Sequence, residues 1–207
     1  MILYIDKPSG MTSFDVIRQL RKRLNIRKMG HAGTLDPLAT GLLIIAVEKD
    51  TKRINEFMNL DKEYEVMMEL GKISDSYDAD GELTEVSKKI ISREEIEVVI
   101  KEFIGTISQV PPAYSAIKVK GVRAYDRARA GEAVVLEPRQ VRIDAIDIVQ
   151  FDFPFVALRV RCAKGTYVRS LVHDIGQKLE VGAYVKSLRR TAIGPHRVET
   201  AQKLEAF

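Results

Sequence analysis

Two segments of apolar–polar alternation constrain the fold of this chain more than any other feature. Tyr64, Val66, Met68 and Leu70 alternate with a mainly acidic set of neighbours, and residues 156–162 alternate in the same way. Because successive side chains of a β-strand point to opposite faces, each segment predicts a half-buried strand. Three further apolar segments are predicted strands, at residues 2–6, 41–47 and 183–191. Strands therefore outnumber helices, which indicates an α+β fold with a mixed, mainly antiparallel central sheet flanked by helices.

Helices are predicted where apolar residues recur at spacings of three and four. Ser13 is the expected N-cap of the first helix, whose apolar face carries positions 14, 17, 20 and 24. Ser92 and Glu95 form a capping box that opens a second helix. A third helix is expected after Gly165, and a short terminal helix after Pro195.

Positive charge is concentrated in parts of the chain. The formal net charge is +4, but residues 1–108 contribute −3 (16 basic, 19 acidic) and residues 109–207 contribute +7 (17 basic, 10 acidic). Within the acidic half lies one basic block, formed by Arg18, Arg21, Lys22, Arg23, Arg27 and Lys28. Clustered cations are typical of proteins that bind polyanions. A solvated helix face with a basic edge explains the same pattern equally well.

Several classes of protein are not expected from this sequence. No apolar run approaches the length of a membrane span, and Lys7 and Pro8 interrupt any signal peptide. The single Cys162 cannot form an internal disulfide, which suits a cytoplasmic location. The histidines and the cysteine lack metal-site spacing, and the GxGxxG, Walker and GxSxG motifs are absent. Residues 75–81 lack the ligand pattern of a calcium loop and are interpreted as an acidic turn.

The segment from Gly30 to Gly41 is the strongest candidate for chemistry. Asp36 precedes Pro37, which pushes its backbone toward extended geometry, while the glycines of the segment permit sharp turns. Such a loop can hold a carboxylate at a fixed angle. An aspartate that only stabilises a turn explains the same residues, so the residues alone leave the two interpretations about even.

This segment, Gly30-His-Ala-Gly-Thr-Leu-Asp-Pro-Leu-Ala-Thr-Gly-Leu-Leu, closely resembles the catalytic motif of the TruB family of pseudouridine synthases. Four further segments resemble the same family in the same order: Ile5-Asp-Lys-Pro-Ser-Gly-Met-Thr-Ser, Lys62-Glu-Tyr, Pro111-Pro-Ala-Tyr-Ser-Ala-Ile-Lys-Val with Gly121-Val-Arg-Ala-Tyr, and Lys164-Gly-Thr-Tyr-Val-Arg-Ser. The resemblance spans almost the whole chain and implies the pseudouridine synthase fold. The Pro-Pro-Ala-Tyr-Ser-Ala segment is more similar to the bacterial stand-alone enzymes than to the guide-RNA-dependent branch.

The resemblance implies that Asp36 is the essential carboxylate, which acts on the uracil glycoside so that the base detaches, rotates and rejoins through C5. Arg169 would keep Asp36 ionised. Tyr64 would stack on the base and help to remove the C5 proton, although a tyrosine on the apolar face of a strand is by itself more typical of core. The other implied substrate-binding residues are Lys7, Gly30, His31, Thr34, Tyr167 and Leu188. No cofactor or metal is expected, because the base is both leaving group and acceptor.

The implied substrate is transfer RNA, modified at the uridine at position 55 in the T loop. The target base must be extruded from its stack, so binding elsewhere has to offset that cost. Affinity is expected from phosphate contacts and should fall steeply with salt. The residues expected to make these contacts are Arg18, Arg21, Lys22, Arg27, Lys28, Lys118, Arg123 and Arg127. The last three belong to an insertion at about residues 109–138 that is expected to clasp the RNA.

We expect residues 1–207 to form a single catalytic domain, monomeric and without an obligate protein partner. Bacterial members of the family usually continue into a small PUA-like RNA-binding domain, which is not expected here. The chain could instead be the catalytic subunit of a guide-RNA-dependent enzyme, or it could be an RNA-folding chaperone. The third alternative is a glycoside hydrolase, which would need paired carboxylates, and Asp36 has no acidic partner in its own loop.

Overall fold

The computed structural model describes residues 1–115, 117–119, 121–130, 132, 134 and 136–207. In that part of the chain the α-helices are α1 (Ser13–Leu24), α2 (Ile54–Met58), α3 (Arg93–Lys101), α4 (Ala124–Arg129) and α5 (Val168–Lys178). The strands are β1 (Ile2–Lys7), β2 (Met29–Ala32), β3 (Thr40–Val47), β4 (Lys62–Leu70), β5 (Lys72–Ser74), β6 (Leu83–Glu85), β7 (Gly105–Gln109), β8 (Lys118–Val119), β9 (Val122–Arg123), β10 (Arg139–Asp152), β11 (Phe155–Cys162), β12 (Ala183–Ile193), β13 (His196–Arg197) and β14 (Gln202–Lys203).

The main sheet has the strand order β14-β1-β3-β12-β4-β11-β10-β7, with β2 added to β3 and β13 added to β12. Among the described pairs only β1–β14 and β3–β12 are parallel. The predicted α+β fold with a mixed, mainly antiparallel sheet is therefore confirmed. The strands β5 and β6 form a separate hairpin, and β8 and β9 form another.

The apolar strand β3 is buried on both faces of this sheet. Leu42 and Ile44 pack on one face with Phe57 of α2. Leu43 and Ile45 belong to the larger cluster on the other face, which α1, α3 and α5 cover. Burying each such side chain stabilises the fold by about 1.5–3 kcal/mol. The continuous apolar run thus buries β3 in the sheet, which fixes the end of the loop that precedes it.

The N-cap of helix α1 lies one residue earlier in the chain than predicted. Thr12 is the N-cap: its side chain accepts from the backbone N–H of Asp15, and the Asp15 carboxylate accepts from the N–H of Thr12. The assignment of Ser13 as N-cap was wrong, because its hydroxyl is turned into the interior instead. The prediction of Phe14 on the buried face was also wrong: this residue is 52% exposed, and its ring lies beside the guanidinium of Arg18.

Two further segments differ from the sequence-based expectation. Met29–Ala32, expected to be part of a loop, is strand β2 because it pairs with the end of β3. The expected terminal helix is wrong: the chain forms β13, two short 3-10 turns and β14. Strand β14 pairs with the sheet edge at β1, so tertiary hydrogen bonding overrides the weak local helix preference. None of the described helices is long and apolar enough to cross a membrane.

Candidate active site

The loop that carries Asp36 connects β2 to β3 and is held from the side of α1 and β1. The Ser13 hydroxyl accepts from the N–H of Leu35 at 2.8 Å and donates to the Leu35 carbonyl at 3.1 Å. The Lys7 ammonium donates to the carbonyl of Pro37 at 3.2 Å. These contacts flank Asp36 on both sides in sequence, so its backbone is fixed although the loop has no regular structure.

Lys7 is completely buried beneath this loop. Its ammonium also donates to the carbonyls of Pro8 and Met11, at 2.9 and 2.6 Å. Burial lowers the pKa of Lys7 to about 8, and the negative charge of Asp36 opposes that shift. Lys7 was predicted to bind substrate; it does not line the cavity described below, and its three carbonyl contacts indicate that it supports the loop.

Arg190, which was not predicted, holds the same loop from strand β12. Its side chain is buried and donates from Nε to the Leu42 carbonyl at 2.8 Å and from Nη2 to the Gly33 carbonyl at 3.0 Å. Gly41 lies against its backbone at a φ of 97°, where a Cβ would stand 2.3 Å from the Arg190 carbonyl oxygen. The adjacent arginines at 189 and 190 look alike in the sequence, so only their strand alternation hinted that one of them is buried.

Arg169 faces Asp36 from the first turn of α5. Its side chain is only 5% exposed, and its Nε lies 3.0 Å from Oδ2 of Asp36, whose side chain is 37% exposed. This contact is an ion pair without the angle of a hydrogen bond. Nη1 and Nη2 donate to the carbonyls of Ser76 and Tyr114, at 2.8 and 2.7 Å. The guanidinium is thus fixed by backbone groups, while Asp36 keeps oxygen surface open to the cavity.

A second carboxylate, Asp78, also faces Arg169. Its Oδ2 lies 3.2 Å from Nη1, and its Oδ1 accepts from the Ser76 hydroxyl at 2.6 Å. Burial raises the pKa of Asp78, and the Ser76 hydrogen bond and the Arg169 charge oppose that rise. The acidic turn predicted at residues 75–81 is therefore a support for Arg169. Sequence reasoning missed this role, because the two partners are far apart in the chain.

Gln109 fixes the start of α5, which has no side-chain N-cap of its own. Its Oε1 accepts from the N–H of Tyr167 at 2.8 Å, and its Nε2 donates to the Tyr167 carbonyl at 3.0 Å. Gln109 is itself buried. This two-point contact sets the position of Tyr167 and, two residues later, of Arg169. Gln109 was seen in the sequence only as the beginning of an insertion.

Asp36 and Arg169 lie on the wall of a cavity of about 530 Å³. The structure brings together six of the predicted residues on this wall: Thr34, Asp36, Tyr64, Tyr167, Arg169 and Leu188. Burial raises the pKa of Tyr64, and the nearby Arg190 charge opposes that rise. Tyr64 is therefore a neutral phenol at neutral pH, suited to stacking and to hydrogen bonding. The cavity combines one exposed carboxylate, a fixed cation, aromatic rings and an apolar leucine.

Gly30 and His31 do not line this cavity. Gly30 lies in β2, where a Cβ would stand 2.5 Å from Cδ1 of Ile54, so close packing explains the glycine. The Nδ1 of His31 is buried without a partner among the described residues, and burial lowers the pKa of this histidine. Their proposed contacts with substrate stay predictions. Within the described residues no cluster of His, Cys, Asp and Glu could hold a metal ion.

The basic residues of α1 and the following turn divide into two groups. Arg18 pairs with Asp15 at 2.9 Å, and Arg21 donates to the Met29 carbonyl at 3.3 Å. Arg23 is exposed but donates to the carbonyls of Leu204 and Phe207. The exposed side chains of the block with neither an ion pair nor a hydrogen bond among the described residues are Lys22, Arg27 and Lys28. These three form the part of the basic block that is most available to a polyanion.

The predicted insertion is described only in part. Arg127 of α4 pairs with Glu132 at 2.6 Å. The side chains of Lys118 and Arg123, which were predicted to contact RNA, lie outside the described residues. Their role stays a prediction.

Comparison with known proteins places this geometry in a family. Residues 21–168 match the family model described as TruB family pseudouridylate synthase (N terminal domain), and residues 169–207 match the tRNA pseudouridylate synthase B C-terminal domain. Both matched segments contribute strands to the one main sheet.

Individual similar proteins support the same family assignment. A tRNA pseudouridine synthase B of Opitutus terrae is 46% identical over 100% of this chain and 86% of its own length. One of Clostridium acetobutylicum is 48% identical over 93% of this chain and 67% of its own length. In a crystal structure of a Cbf5-Nop10-Gar1 complex, one chain matches at 34% identity with a TM-score of 0.78; this protein covers 52% of that longer chain. The chain described here therefore belongs to the TruB family of pseudouridylate synthases.

Proposed function

We propose that this chain isomerises the uridine at position 55 in the T loop of transfer RNA, with Asp36 as the reacting carboxylate. The observation that carries the proposal is the Asp36–Arg169 pair on the wall of the cavity. Asp36 is partly exposed to the cavity while its cation is buried and fixed. A fixed cation beside a carboxylate attracts its negative charge and holds it in one orientation, which suits a reacting aspartate.

The reaction is an internal exchange of one bond for another. The C1′–N1 bond of the uridine breaks with participation of Asp36, the uracil rotates within the cavity, and C5 forms the new bond to C1′. The C5 proton is then lost and N1 gains a proton, so atoms balance without a cofactor. The detached base must be retained during rotation, and the cavity supplies the Tyr64 ring and the apolar Leu188 side chain for that purpose.

Tyr64 is assigned here to stacking and to proton transfer as a neutral phenol. Because burial raises its pKa, a phenolate is disfavoured at neutral pH. Tyr64 can therefore pass on the C5 proton only if another group accepts its own proton, and Asp36 is the carboxylate on the same cavity wall. Tyr167 and Thr34 complete the wall. His31 is proposed to contact the substrate when RNA is bound.

Affinity is proposed to come from phosphate contacts of the exposed basic residues, mainly Lys22, Arg27 and Lys28. Such contacts do not read sequence, so the flipped uridine and the shape of the loop would provide the selection. Extrusion of the base costs about a few kcal/mol, which these contacts offset. We propose that the protein acts in the cytoplasm as a monomer, as a single domain, without a guide RNA or protein partner.

Tritium release from a tRNA transcript labelled at uridine C5 tests this proposal. The wild-type protein alone should release tritium from one uridine, and Asp36→Asn should release none while binding the tRNA normally. Asp80→Asn is the matched control, because Asp80 is exposed and outside the cavity wall. Release that requires a guide RNA or a partner protein would favour the guide-dependent alternative. Equal release by Asp36→Asn and wild type would reject the assignment of Asp36.

A further inference from the structure

The cavity continues past Asp36 and Arg169 to a second wall that the reaction does not use. This wall is formed by Asn55, Met58 and Asn59 of α2 and its C-terminal cap, together with Lys164 from the loop before α5. All four residues are exposed, and the Met58 side chain is 44% exposed.

Helix α2 presents this wall in a fixed orientation. Asn55 and Asn59 are four residues apart and therefore lie on one helix face. Phe57 anchors the helix by packing into the core under β3. Lys62 donates to the carbonyls of Met58 and Leu60, at 2.7 and 2.5 Å, and so holds the C-terminal end of the helix.

A hydrogen bond joins the two parts of this second wall, α2 and the loop before α5. The Lys164 ammonium donates to Oδ1 of Asn59 at 2.8 Å. Lys164 lies three and five residues before Tyr167 and Arg169, which line the Asp36 end of the same cavity. A ligand that fills this cavity from the Asp36 end onward would therefore also contact Lys164 and α2.

The chemistry of this wall fits a nucleotide. Each carboxamide offers donors and an acceptor side by side, which is the arrangement that pairs with the edge of a base. The methionine side chain offers polarisable apolar surface for the face of an aromatic ring. The ammonium retains further donors, which suit a phosphate.

We propose that α2 and Lys164 bind the nucleotide adjacent to the target uridine in the RNA, with its base against Asn55, Met58 and Asn59 and its phosphate on Lys164. This inference rests on the proposed function, because it assumes that a flipped uridine occupies the Asp36 end. It adds a base-dependent contact to a binding mode that is otherwise directed at phosphates.

A binding cycle between protein and RNA variants tests the inference. The dissociation constant is measured for T-stem-loop RNAs that carry an abasic nucleotide on the 5′ or the 3′ side of the target uridine. For the wild type, one of the two abasic RNAs should bind about tenfold more weakly than the intact RNA, in line with the energy of base contacts. For Asn55→Ala the same abasic substitution should weaken binding by clearly less than tenfold, because one of the contacts to the base is already lost.

The exposed Glu56 of the same helix, which pairs with Arg53, provides the control variant Glu56→Gln. It should retain the wild-type response to the abasic RNA. Lys164→Gln should weaken binding to all of the RNAs alike. The slope of the logarithm of the binding constant against the logarithm of salt concentration should become shallower by about one, as expected for the loss of one phosphate contact. Because Asn55 is exposed and carries no described side-chain hydrogen bond, Asn55→Ala should fold normally, as thermal unfolding will show.

The inference is overturned if neither abasic RNA binds the wild type more weakly than the intact RNA does. It is also overturned if the abasic substitution weakens binding to Asn55→Ala as much as it weakens binding to the wild type. Tritium release is measured separately on the intact RNA. Absence of release by the wild type would reject the proposed function, whereas the binding cycle would still show whether α2 contacts a neighbouring base. The two failures are therefore distinguishable.

Discussion

Replacing Asp78 by Asn removes one of the two carboxylates that face the buried guanidinium of Arg169. The wild-type charges of this group sum to −1, and in Asp78→Asn they sum to zero. Arg169 would keep its bonds to the Ser76 and Tyr114 carbonyls but would be attracted to one carboxylate only, so it should hold Asp36 more tightly. A guanidinium bonded more directly to Asp36 stabilises the resting carboxylate and makes it less reactive.

The size of this effect follows from the geometry. At the observed 3.2 Å, attraction between unit charges in a medium of effective dielectric near 20 is about 5 kcal/mol. Asparagine keeps an oxygen acceptor, and removing a buried charge recovers part of its desolvation cost. We therefore expect the resting Asp36 carboxylate to be stabilised by a net amount of about 1–3 kcal/mol, which raises the barrier and lowers kcat about 5- to 150-fold.

Single-turnover tritium release with saturating protein measures this step without a contribution from RNA affinity. Asp80→Asn removes the same charge from the same turn, but at an exposed position, and should retain kcat within twofold. Thermal unfolding of each variant separates loss of fold from loss of positioning. The reasoning is refuted if folded Asp78→Asn turns over within twofold of the wild type, or if Asp80→Asn loses as much activity.

Two further predictions concern stability. Glu69 is buried, which by itself raises its pKa, but hydrogen bonds from Lys72, Tyr184 and Lys186 outweigh this and lower the pKa from 4.5 to about 2. A carboxylate with a depressed pKa stabilises the fold above its unfolded pKa, so up to about 3 kcal/mol should be lost as pH falls from about 4.5 to 2. The difference in unfolding free energy between wild type and Glu69→Gln should shrink over this interval; a constant difference would contradict the prediction. Gly41→Ala should cost at least about 3 kcal/mol in denaturant unfolding, because its φ is positive and its Cβ would meet the Arg190 carbonyl. Gly105→Ala, at a similar φ but in open space, should cost less, and equal costs would show that the contact with Arg190 is unimportant.

Local pattern was sufficient for much of the fold and for part of the site. Alternation at Tyr64 and its neighbours predicted β4, and the capping box at Ser92 predicted the start of α3. These features are encoded by residues within a few positions of one another, so they can be read without knowledge of the fold. The segment around Asp36 identified the candidate carboxylate in the same way, through its resemblance to a family motif.

Only the tertiary structure revealed what holds that carboxylate and its cation. Arg169 meets Asp78 across 91 positions of the chain, and Gln109 meets Tyr167 across 58. Arg190 differs from Arg189 only in the face of β12 from which it projects, yet one ties down the Asp36 loop and the other pairs with Asp6. No periodicity encodes such contacts, because they depend on which strands become neighbours. The sequence by itself determined the strands and the reacting carboxylate to be tested, whereas packing of the sheet decided which distant charges and amides would position it.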